Sequence, residues 1–256
     1  MSNKEEINYL LETVNHYFPD AKMDNDSIIS SYGGWRPLIA PPEGEKISES
    51  DISREHEIFE TDSGIVCIAG GKLTTYMAMS KGIVDYLLKK EEFKKYGTNL
   101  SHFPNLCSWD ENFDLNKYLE KETKKYTITD KPIIRKLINK YGTEYLKVFE
   151  IMNISPDLKE EINNLSRDAK CFKAEILYSV FYEMSLTVKD FMQRRNRIIL
   201  KDKNQGLNAV NEITELISHT LKDLMKWDEE FRENWAQEQI SEYIKDVELL
   251  NAFKEE

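Results

Sequence analysis

The pattern of apolar and polar positions changes along the chain, and its most informative point is a strand-to-helix junction. Residues 65–69 form a short, continuous apolar run rich in β-branched residues, which predicts a buried strand. The sequence Gly-Gly-Lys-Leu-Thr-Thr-Tyr follows at 70–76, and apolar residues then recur at helical spacing to about Lys90. The two glycines predict a tight turn at which a ligand can approach the backbone closely.

The predicted helix after this turn starts with residues that suit an N-cap. Thr74 and Thr75 each carry a hydroxyl that can accept a backbone hydrogen bond. A helix N-terminus also offers free N–H groups and a partial positive charge, which together favour an anionic ligand. An ordinary tight turn with a capping threonine explains the same residues equally well. This stretch alone leaves both interpretations open.

Other apolar segments surround the junction. An apolar helical face near the N-terminus ends before Pro19, since proline cannot continue a helix. Residues Ser27 to Tyr32 predict a strand. Residues Arg54 to Thr61 predict another, and a turn at 62–64 makes it the hairpin partner of residues 65–69. Strand, hairpin, glycine turn and helix are typical of the last part of an α/β nucleotide-binding domain.

Beyond a poorly periodic stretch from Phe93 to Asp114, the pattern is helical almost throughout. A capping residue followed by proline predicts helix starts at Asp130 and Ser155, and Thr187 with an acid three residues later resembles a capping box. The other helices are predicted at 172–184, 207–227 and 231–253. We therefore predict an α+β fold class, with a small α/β remnant in residues 1–95 and an all-helical C-terminal domain in residues 96–256.

Composition narrows the classes of function. A net charge of -11 argues against nucleic-acid binding, because phosphates require a basic surface, and the many acidic residues after Leu207 predict solvated helix faces. Three widely spaced cysteines suggest a reducing compartment. His16, His102 and His219 have no partners at ligand spacing, so we predict no metal site. A polar N-terminus and no apolar run of about 18–20 residues predict a cytoplasmic protein, soluble or at most peripheral on the inner face of the membrane.

Four motifs occur in order along the first third of the chain. They are Ser-Tyr-Gly-Gly-Trp-Arg-Pro-Leu at 31–38, Ile-Ser-Arg-Glu-His at 52–56, Ser-Gly-Ile at 63–65 and the glycine turn at 70–76. Together they resemble the FAD-dependent glycerol-3-phosphate dehydrogenases and the related α-glycerophosphate oxidases. Residues 186–191 and the pair Arg194-Arg195 resemble the C-terminal domain of that family. Trp35 and Met77 depart from the pattern, in which an aliphatic residue and an arginine are expected.

The resemblance implies a substrate site made of three cations. Arg36, Arg54 and Lys72 would bind the phosphate and hydroxyls of glycerol 3-phosphate, since guanidinium forks and an ammonium group suit a phosphate dianion. For a single arginine or lysine without the motif, a solvated surface charge is the more common explanation.

The resemblance also implies a cofactor contact and a candidate base. Gly70, Gly71, Thr74 and Thr75 would lie against the pyrimidine edge of the flavin. His56 is the only histidine within a matching motif and has a side chain suited to take the substrate hydroxyl proton. A histidine in a strand is more often structural, and the base can equally belong to another part of the enzyme.

A motif that such an enzyme requires is missing. A dinucleotide-binding domain carries G-x-G-x-x-G after its first strand, whereas the adjacent glycine pairs of this sequence lie only at 33–34 and 70–71. We therefore expect the C-terminal half of an enzyme that oxidises sn-glycerol 3-phosphate to dihydroxyacetone phosphate with FAD. The chain alone is expected to bind no FAD and to be inactive. The resemblance leaves open quinone or oxygen as the electron acceptor, peripheral membrane association, a homo-oligomer and whether Met1 is the natural start.

A hypothesis of another class is a non-enzymatic helical interaction module whose α/β leader is a relic. The missing fingerprint and the long acidic helices at the C-terminus favour it. Colour separates the two hypotheses, because bound flavin absorbs visible light.

Overall fold

The computed structural model describes residues 3–34, 39, 55–96, 114–127 and 130–252. Contacts between residues group the chain into two units. The helical unit comprises Met1–Gly33 and Asn105–Glu256, and the α/β unit comprises Gly34–Pro104. The predicted division at residue 95 differs from this grouping in two respects: the first 33 residues are grouped with the helical unit, and the second boundary follows Pro104.

The α/β unit contains the predicted hairpin and helix. Strands β1 (His56–Glu60) and β2 (Val66–Gly70) pair antiparallel, and His56 lies opposite Gly70. The connecting turn is closed by the amide of Thr61, which donates to the carbonyl oxygen of Ile65 at 2.9 Å. Helix α2 (Tyr76–Leu88) follows the glycine turn. The elements agree with the apolar run, the turn residues and the helical spacing of the sequence.

The helical unit carries one helix at its N-terminus and a series of helices after residue 114. Their bounds are α1 Lys4–Tyr17, α3 Leu115–Thr123, α4 Lys131–Tyr141, α5 Tyr145–Met152, α6 Lys173–Glu183, α7 Ile198–Lys201, α8 Val210–Met225 and α9 Glu229–Asn251, with a π-helical turn at Asp190–Arg195 before α7. Between residues 114 and 252, the described residues form no strand and only one isolated bridge, Glu161 with Phe172. The α+β fold class and the helical C-terminal domain are confirmed.

Helix α6 is the centre of the helical unit because opposite faces of it enter two cores. Ile176 and Val180 pack with α8 and α9, while Ala174 and Tyr178 pack with α3, α4 and α5. The remaining buried members of these cores recur at helical spacing along each helix, so burial follows the apolar stripe. The helix predicted at 172–184 therefore buries two opposite faces, whereas an amphipathic helix buries one.

The predicted strand from Ser27 to Tyr32 is wrong. No residue of that range forms a strand; Ser31 Oγ donates to the carbonyl oxygen of Leu250 at 2.9 Å, and Gln205 Nε2 donates to that of Ile29 at 3.1 Å. A segment becomes a strand only when a neighbouring strand pairs with its backbone groups. Here the side chain of Gln205, from the loop before α8, binds the backbone of Ile29, and the Ser31 side chain binds the end of α9.

Two further local predictions have different outcomes. The helix expected from Ser155 is only a short 3-10 turn, Pro156–Lys159, in which Leu158 alone is buried, so it lacks the apolar stripe that would extend it. The predicted capping box is confirmed: the Asp190 carboxylate accepts from the amide of Thr187 at 3.1 Å, and Thr187 Oγ1 accepts from the amide of Asp190 at 3.1 Å. No helix in the described part of the chain is long and apolar enough to cross a membrane.

Candidate functional site

The strand-to-helix junction is built on two consecutive glycines in the left-handed region. Gly70 has φ +75° and Gly71 has φ +78°. A Cβ on Gly70 would lie 2.4 Å from the backbone oxygen of Glu55, and one on Gly71 would lie 2.4 Å from Sδ of Met79. Both positions therefore favour glycine for backbone conformation, and Gly70 also for packing, because the backbone of Glu55 cannot move aside as the end of the Met79 side chain can.

The capping predicted for α2 takes another form. Leu73–Thr75 form a single 3-10 turn between the glycines and the helix. Thr75 Oγ1 donates to the carbonyl oxygen of Lys72 at 2.9 Å and accepts from the Lys72 amide at 3.2 Å. Thr75 is the N-cap residue of α2, but its side chain makes no capping hydrogen bond to that helix. The expected side-chain cap is wrong, because the inserted 3-10 turn brings the Lys72 backbone within reach of the hydroxyl.

Lys72 carries an uncommitted charge at this turn. Its side chain is exposed, and its ammonium group forms no hydrogen bond or ion pair with any residue that the structure describes. An ammonium group without a protein partner, next to a helix start, can bind an anion without first breaking a salt bridge.

His56 lies against the same glycines. A Cβ on Gly71 would lie 3.4 Å from the Cβ of His56, and a Cβ on Gly82 of α2 would lie 3.5 Å from its Nε2. The imidazole of His56 therefore lies beside α2 at Gly82. Within the described residues the ring has no hydrogen-bond partner, so its role as a base stays a prediction.

The structure brings only part of the predicted site together. His56, Gly70 and Gly71 are in contact distance of one another across the hairpin, and Lys72 follows directly in the chain. Arg36 and Arg54, the other two predicted substrate cations, lie outside the described residues, as does Trp35. The grouping of three cations therefore stays a prediction. Met77, which replaces the expected arginine, is 50% exposed on α2.

A second contact fixes α2 on β1. Lys90 Nζ donates to Glu60 Oε2 at 2.6 Å, and Tyr86 OH donates to the same oxygen at 3.2 Å. The hydrogen bond from Lys90 holds the pKa of Glu60 below its ordinary value, and the same bond raises the pKa of Lys90. The pair ties the far end of α2 to the start of the hairpin turn.

The α/β unit presents apolar side chains that the described chain does not cover. No residue of β1, β2 or α2 is fully buried. Leu73 is 90% exposed, Ile65 62% and Tyr76 58%. A two-stranded hairpin with one helix buries too little surface to be stable by itself. The described strands and helix of this unit therefore bury too little apolar surface to be stable by themselves.

A buried ionic cluster in the helical unit escaped the sequence analysis. Glu175 on α6 is completely buried; Lys140 Nζ donates to its carboxylate, and Tyr141 OH donates to it at 3.1 Å. Burial, reinforced by this carboxylate, raises the pKa of Tyr141. The only sequence signal was the position of Glu175 three residues after Phe172, where an acid can bind the start of its own helix. The cluster joins α4 to α6 inside the unit.

The described residues contain no group of three or more His, Cys, Asp or Glu side chains that could hold a metal ion. Cys67 and Cys171 are free thiols. Burial raises the pKa of Cys171 to about 12, so this cysteine is a core residue and not a nucleophile.

Comparisons with known proteins place this geometry in context. The family model for the C-terminal domain of alpha-glycerophosphate oxidase matches residues 109–232. The aerobic glycerol-3-phosphate dehydrogenase of Staphylococcus haemolyticus is 30% identical over 256 residues, which cover 97% of this chain and 42% of that protein. That of Staphylococcus saprophyticus is 33% identical over 231 residues, 86% of this chain and 39% of that protein.

A solved structure shows the same fold. The X-ray structure of the glycerol-3-phosphate dehydrogenase from Bacillus halodurans complexed with FAD matches with a TM-score of 0.68 and 21% identity. The match covers 97% of this chain and 45% of that one. The chain thus spans less than half the length of the curated relatives it matches. From its ordered motifs, its helical C-terminal domain and these matches, we conclude that the chain belongs to the family of FAD-dependent glycerol-3-phosphate dehydrogenases and α-glycerophosphate oxidases, and corresponds to its C-terminal portion.

Proposed function

We propose that this chain is the C-terminal part of a flavoenzyme that oxidises sn-glycerol 3-phosphate to dihydroxyacetone phosphate with FAD. The observation that carries the proposal is the glycine turn: it lies against His56, and the ammonium group of Lys72, which pairs with no described residue, follows it at a helix start. This turn belongs to a chain whose curated relatives are named aerobic glycerol-3-phosphate dehydrogenases. The proposal includes quinone or oxygen as the electron acceptor, a cytoplasmic or membrane-peripheral location and a homo-oligomer, as the family resemblance implies.

The residues present fit one edge of a flavin and no more. The turn at 71–75 offers a helix start and exposed side chains at Leu73 and Thr74. The sequence contains no G-x-G-x-x-G turn to hold the pyrophosphate. Gly70 and Gly71 do not by themselves indicate a flavin, because their own surroundings already exclude a side chain. FAD would therefore be held mainly by another polypeptide segment, with Gly70, Gly71, Thr74 and Thr75 along its pyrimidine edge.

Bound FAD would supply the acceptor for the hydride that leaves C2 of the substrate. The protein residues would do the rest. Lys72, with Arg36 and Arg54, would bind the phosphate and fix C2 in position. His56 would take the proton of the C2 hydroxyl as the carbonyl forms, so that one hydride and one proton leave the substrate.

The first experiment tests the need for a second segment. The chain alone with added FAD is expected to remain colourless after desalting, because one helix start cannot replace a pyrophosphate site. Expressed together with the dinucleotide-binding half from its source organism, it is expected to form a yellow complex that oxidises glycerol 3-phosphate. A colourless, inactive complex would instead favour the non-enzymatic interaction module.

The second experiment assigns the substrate cation in the flavin-containing complex. Lys72→Gln is expected to lower kcat/KM for glycerol 3-phosphate by about one to two decades, because a charge-assisted contact to phosphate is lost. Lys81→Gln on the exposed side of α2 removes the same charge beside Asp85 and is the matched control. Equal activity of both variants would refute the role of Lys72, whereas flavin content is expected to be normal in both.

The third experiment separates a flavin contact from ordinary turn packing. Thr74 is exposed, so Thr74→Ala is expected to leave the stability of the flavin-free chain unchanged. If the turn lies against the flavin, the same change shifts the flavin reduction potential or occupancy. An unchanged potential and occupancy would assign the turn a structural role only.

A further inference from the structure

The helical unit contains a cavity, and none of the predicted site residues that the structure describes lines it. Its volume is about 540 Å³, within the range of small-molecule sites. Its walls come from the segment that ends at Gly33, from the π-helical turn at Asp190–Arg195 and the residues after it, and from the C-terminal half of α9. All of these belong to the helical unit, so the cavity does not depend on the function proposed for the glycine turn.

The cavity is positive in a protein that is strongly negative. Lys189, Arg194 and Arg197 line it, and Asp246 is the only carboxylate in its lining, so three positive charges less one negative charge leave +2. The whole chain has a net charge of -11. A concave surface of the opposite sign concentrates anions near it.

Two of the three cations are already committed. Lys189 forms an ion pair with Asp246, and Arg194 Nη1 donates to Asp190 Oδ1 at 2.5 Å. The guanidinium group of Arg197 forms no hydrogen bond or ion pair with the described residues. One uncommitted guanidinium group matches one negative charge, so a monoanion fits the cavity better than a dianion.

The backbone holds Arg197 at the cavity in an unfavourable conformation. The π-helical turn ends with the amide of Asn196 donating to the carbonyl oxygen of Phe191 at 2.9 Å, five residues back. Arg197 follows with φ +58°, in the left-handed region, and α7 begins at Ile198. The backbone of Arg197 is therefore held between the π-helical turn and α7.

Part of the cavity lining is apolar. Leu249 and Leu250 of α9 and Leu200 of α7 line it, together with the ring of Tyr32. Leu249 is 50% exposed and Tyr32 is 72% exposed, so both have apolar surface to offer a ligand. Gln193 also lines the cavity, and its amide has no partner among the described residues, so it can bind a carboxylate oxygen.

We propose that this cavity binds an aliphatic carboxylate. The carboxylate pairs with the Arg197 guanidinium group, assisted by the Gln193 amide, and the alkyl chain lies along Leu200, Leu249 and Leu250. The uncommitted guanidinium group accounts for the carboxylate of the ligand, and the leucine side chains account for its alkyl chain.

The probe is octanoate, titrated into the full chain and followed by calorimetry or by chemical shifts. We expect saturable binding at one site, with affinity rising about fourfold for each methylene from butyrate to octanoate. Octanol has the same tail without the charge and is expected to bind much more weakly. Inorganic phosphate, which has charge without a tail, is likewise expected to bind weakly.

The matched variants are Arg197→Gln and Arg167→Gln. Arg167 is almost fully exposed and does not line the cavity, so its change removes the same charge elsewhere. Arg197→Gln is expected to weaken octanoate binding about tenfold to a hundredfold, and Arg167→Gln to leave it unchanged. If Arg197→Gln does not fold, Arg197→Lys keeps the charge but loses the bidentate fork, and is expected to give a smaller loss. Equal loss in both arginine variants, octanol binding as tight as octanoate, or no saturable binding would overturn the proposal.

Discussion

At the scale of single residues, the left-handed glycines of the α/β unit differ in what surrounds them. A Cβ on Gly70 would collide with the backbone oxygen of Glu55, whereas one on Gly64 would meet only Glu60 Oε1, at 3.8 Å. Gly64 has φ +84° and Gly70 has φ +75°, so a side chain strains the backbone similarly at both. Any difference in stability between alanine variants at the two positions therefore reports the contact with Glu55 and not the backbone conformation.

We predict that Gly70→Ala destabilises the hairpin more than Gly64→Ala does. The left-handed conformation alone costs an alanine about 1–2 kcal/mol, which both variants bear. The collision at Gly70 adds to this, because a backbone oxygen cannot move aside as a side chain can. Amide exchange at Glu57 and Ala69, which form a hydrogen-bonded pair in the antiparallel ladder, measures the effect. Equal exchange rates in the two variants would contradict the prediction.

Asp202 holds together the loop between α7 and α8. Its carboxylate is 3% exposed and accepts from the amides of Ser166 at 2.7 Å, Asn204 at 3.1 Å and Gly206 at 2.9 Å. Burial raises the pKa of Asp202, but these hydrogen bonds together outweigh burial, and its pKa lies below the ordinary value. The ionised form is therefore favoured in the folded protein.

A lowered folded pKa determines the direction of the pH dependence. The carboxylate contributes stability that is fully present above the unfolded pKa of about 3.9 and is lost as pH falls through the folded pKa. We predict that Asp202→Asn lowers the free energy of unfolding by about 1.5–3 kcal/mol at pH 7. The difference in free energy of unfolding between Asp202→Asn and the unchanged protein should become smaller below a pH of about 4, as measured by urea denaturation. Asp168→Asn, at an exposed position, is the control, and a gap at Asp202 that does not narrow would refute the prediction.

At the scale of elements, α4 and α6 are joined by a buried ionic pair and not only by apolar contacts. Glu175 is completely buried, and the Lys140 side chain is 26% exposed. A buried pair repays the loss of hydration only when both partners remain. We predict that Glu175→Gln lowers the free energy of unfolding by about 1–3 kcal/mol, because the amide keeps the shape but loses the charge.

The control for this prediction is a surface pair in the same unit. Glu144 pairs with Lys147 one turn away, and both side chains are more than 40% exposed. Glu144→Gln is expected to cost less than about 0.5 kcal/mol. A double-mutant cycle of Glu175→Gln with Lys140→Met measures the coupling in thermal or urea denaturation. A coupling energy near zero would mean that the pair contributes only packing.

At the scale of the whole molecule, the two units differ in how completely they bury their apolar residues. The helical unit has two cores that share α6, whereas the strands and helix of the α/β unit contain no fully buried residue. We predict that amides of α6 and α8 exchange slowest and that those of β1, β2 and α2 exchange fast in the chain alone. Hydrogen exchange with mass spectrometry measures both. Protection of the hairpin equal to that of α8 would show that the α/β unit is stable without another segment.

The same measurement in the complex with the dinucleotide-binding half tests the proposed function at this scale. The apolar side chains of Leu73, Ile65 and Tyr76 would then be covered. Protection is expected to rise in the α/β unit and to change little in the cores of the helical unit.

The linear pattern by itself determined the local elements and the family. The hairpin was predicted with its turn, and β2 (Val66–Gly70) lies one residue from the predicted run at 65–69. Helices α4, α6, α8 and α9 lie within the predicted ranges, apart from boundary shifts of a few residues. These features depend on side chains a few positions apart, where burial periodicity, prolines and glycines act directly.

Only the tertiary structure decided the features made by residues distant in sequence. Ser27 to Tyr32 was predicted as a strand but forms none; instead the backbone of Ile29 accepts from Gln205, and the side chain of Ser31 donates to α9. The charge of Glu175 is buried because Lys140 and Tyr141 approach it from another helix. The cavity at Arg197 needs walls from both ends of the helical unit. A sequence specifies such neighbours only through the packing of the whole chain, because strand pairing, charge burial and cavity shape depend on contacts that no local window contains.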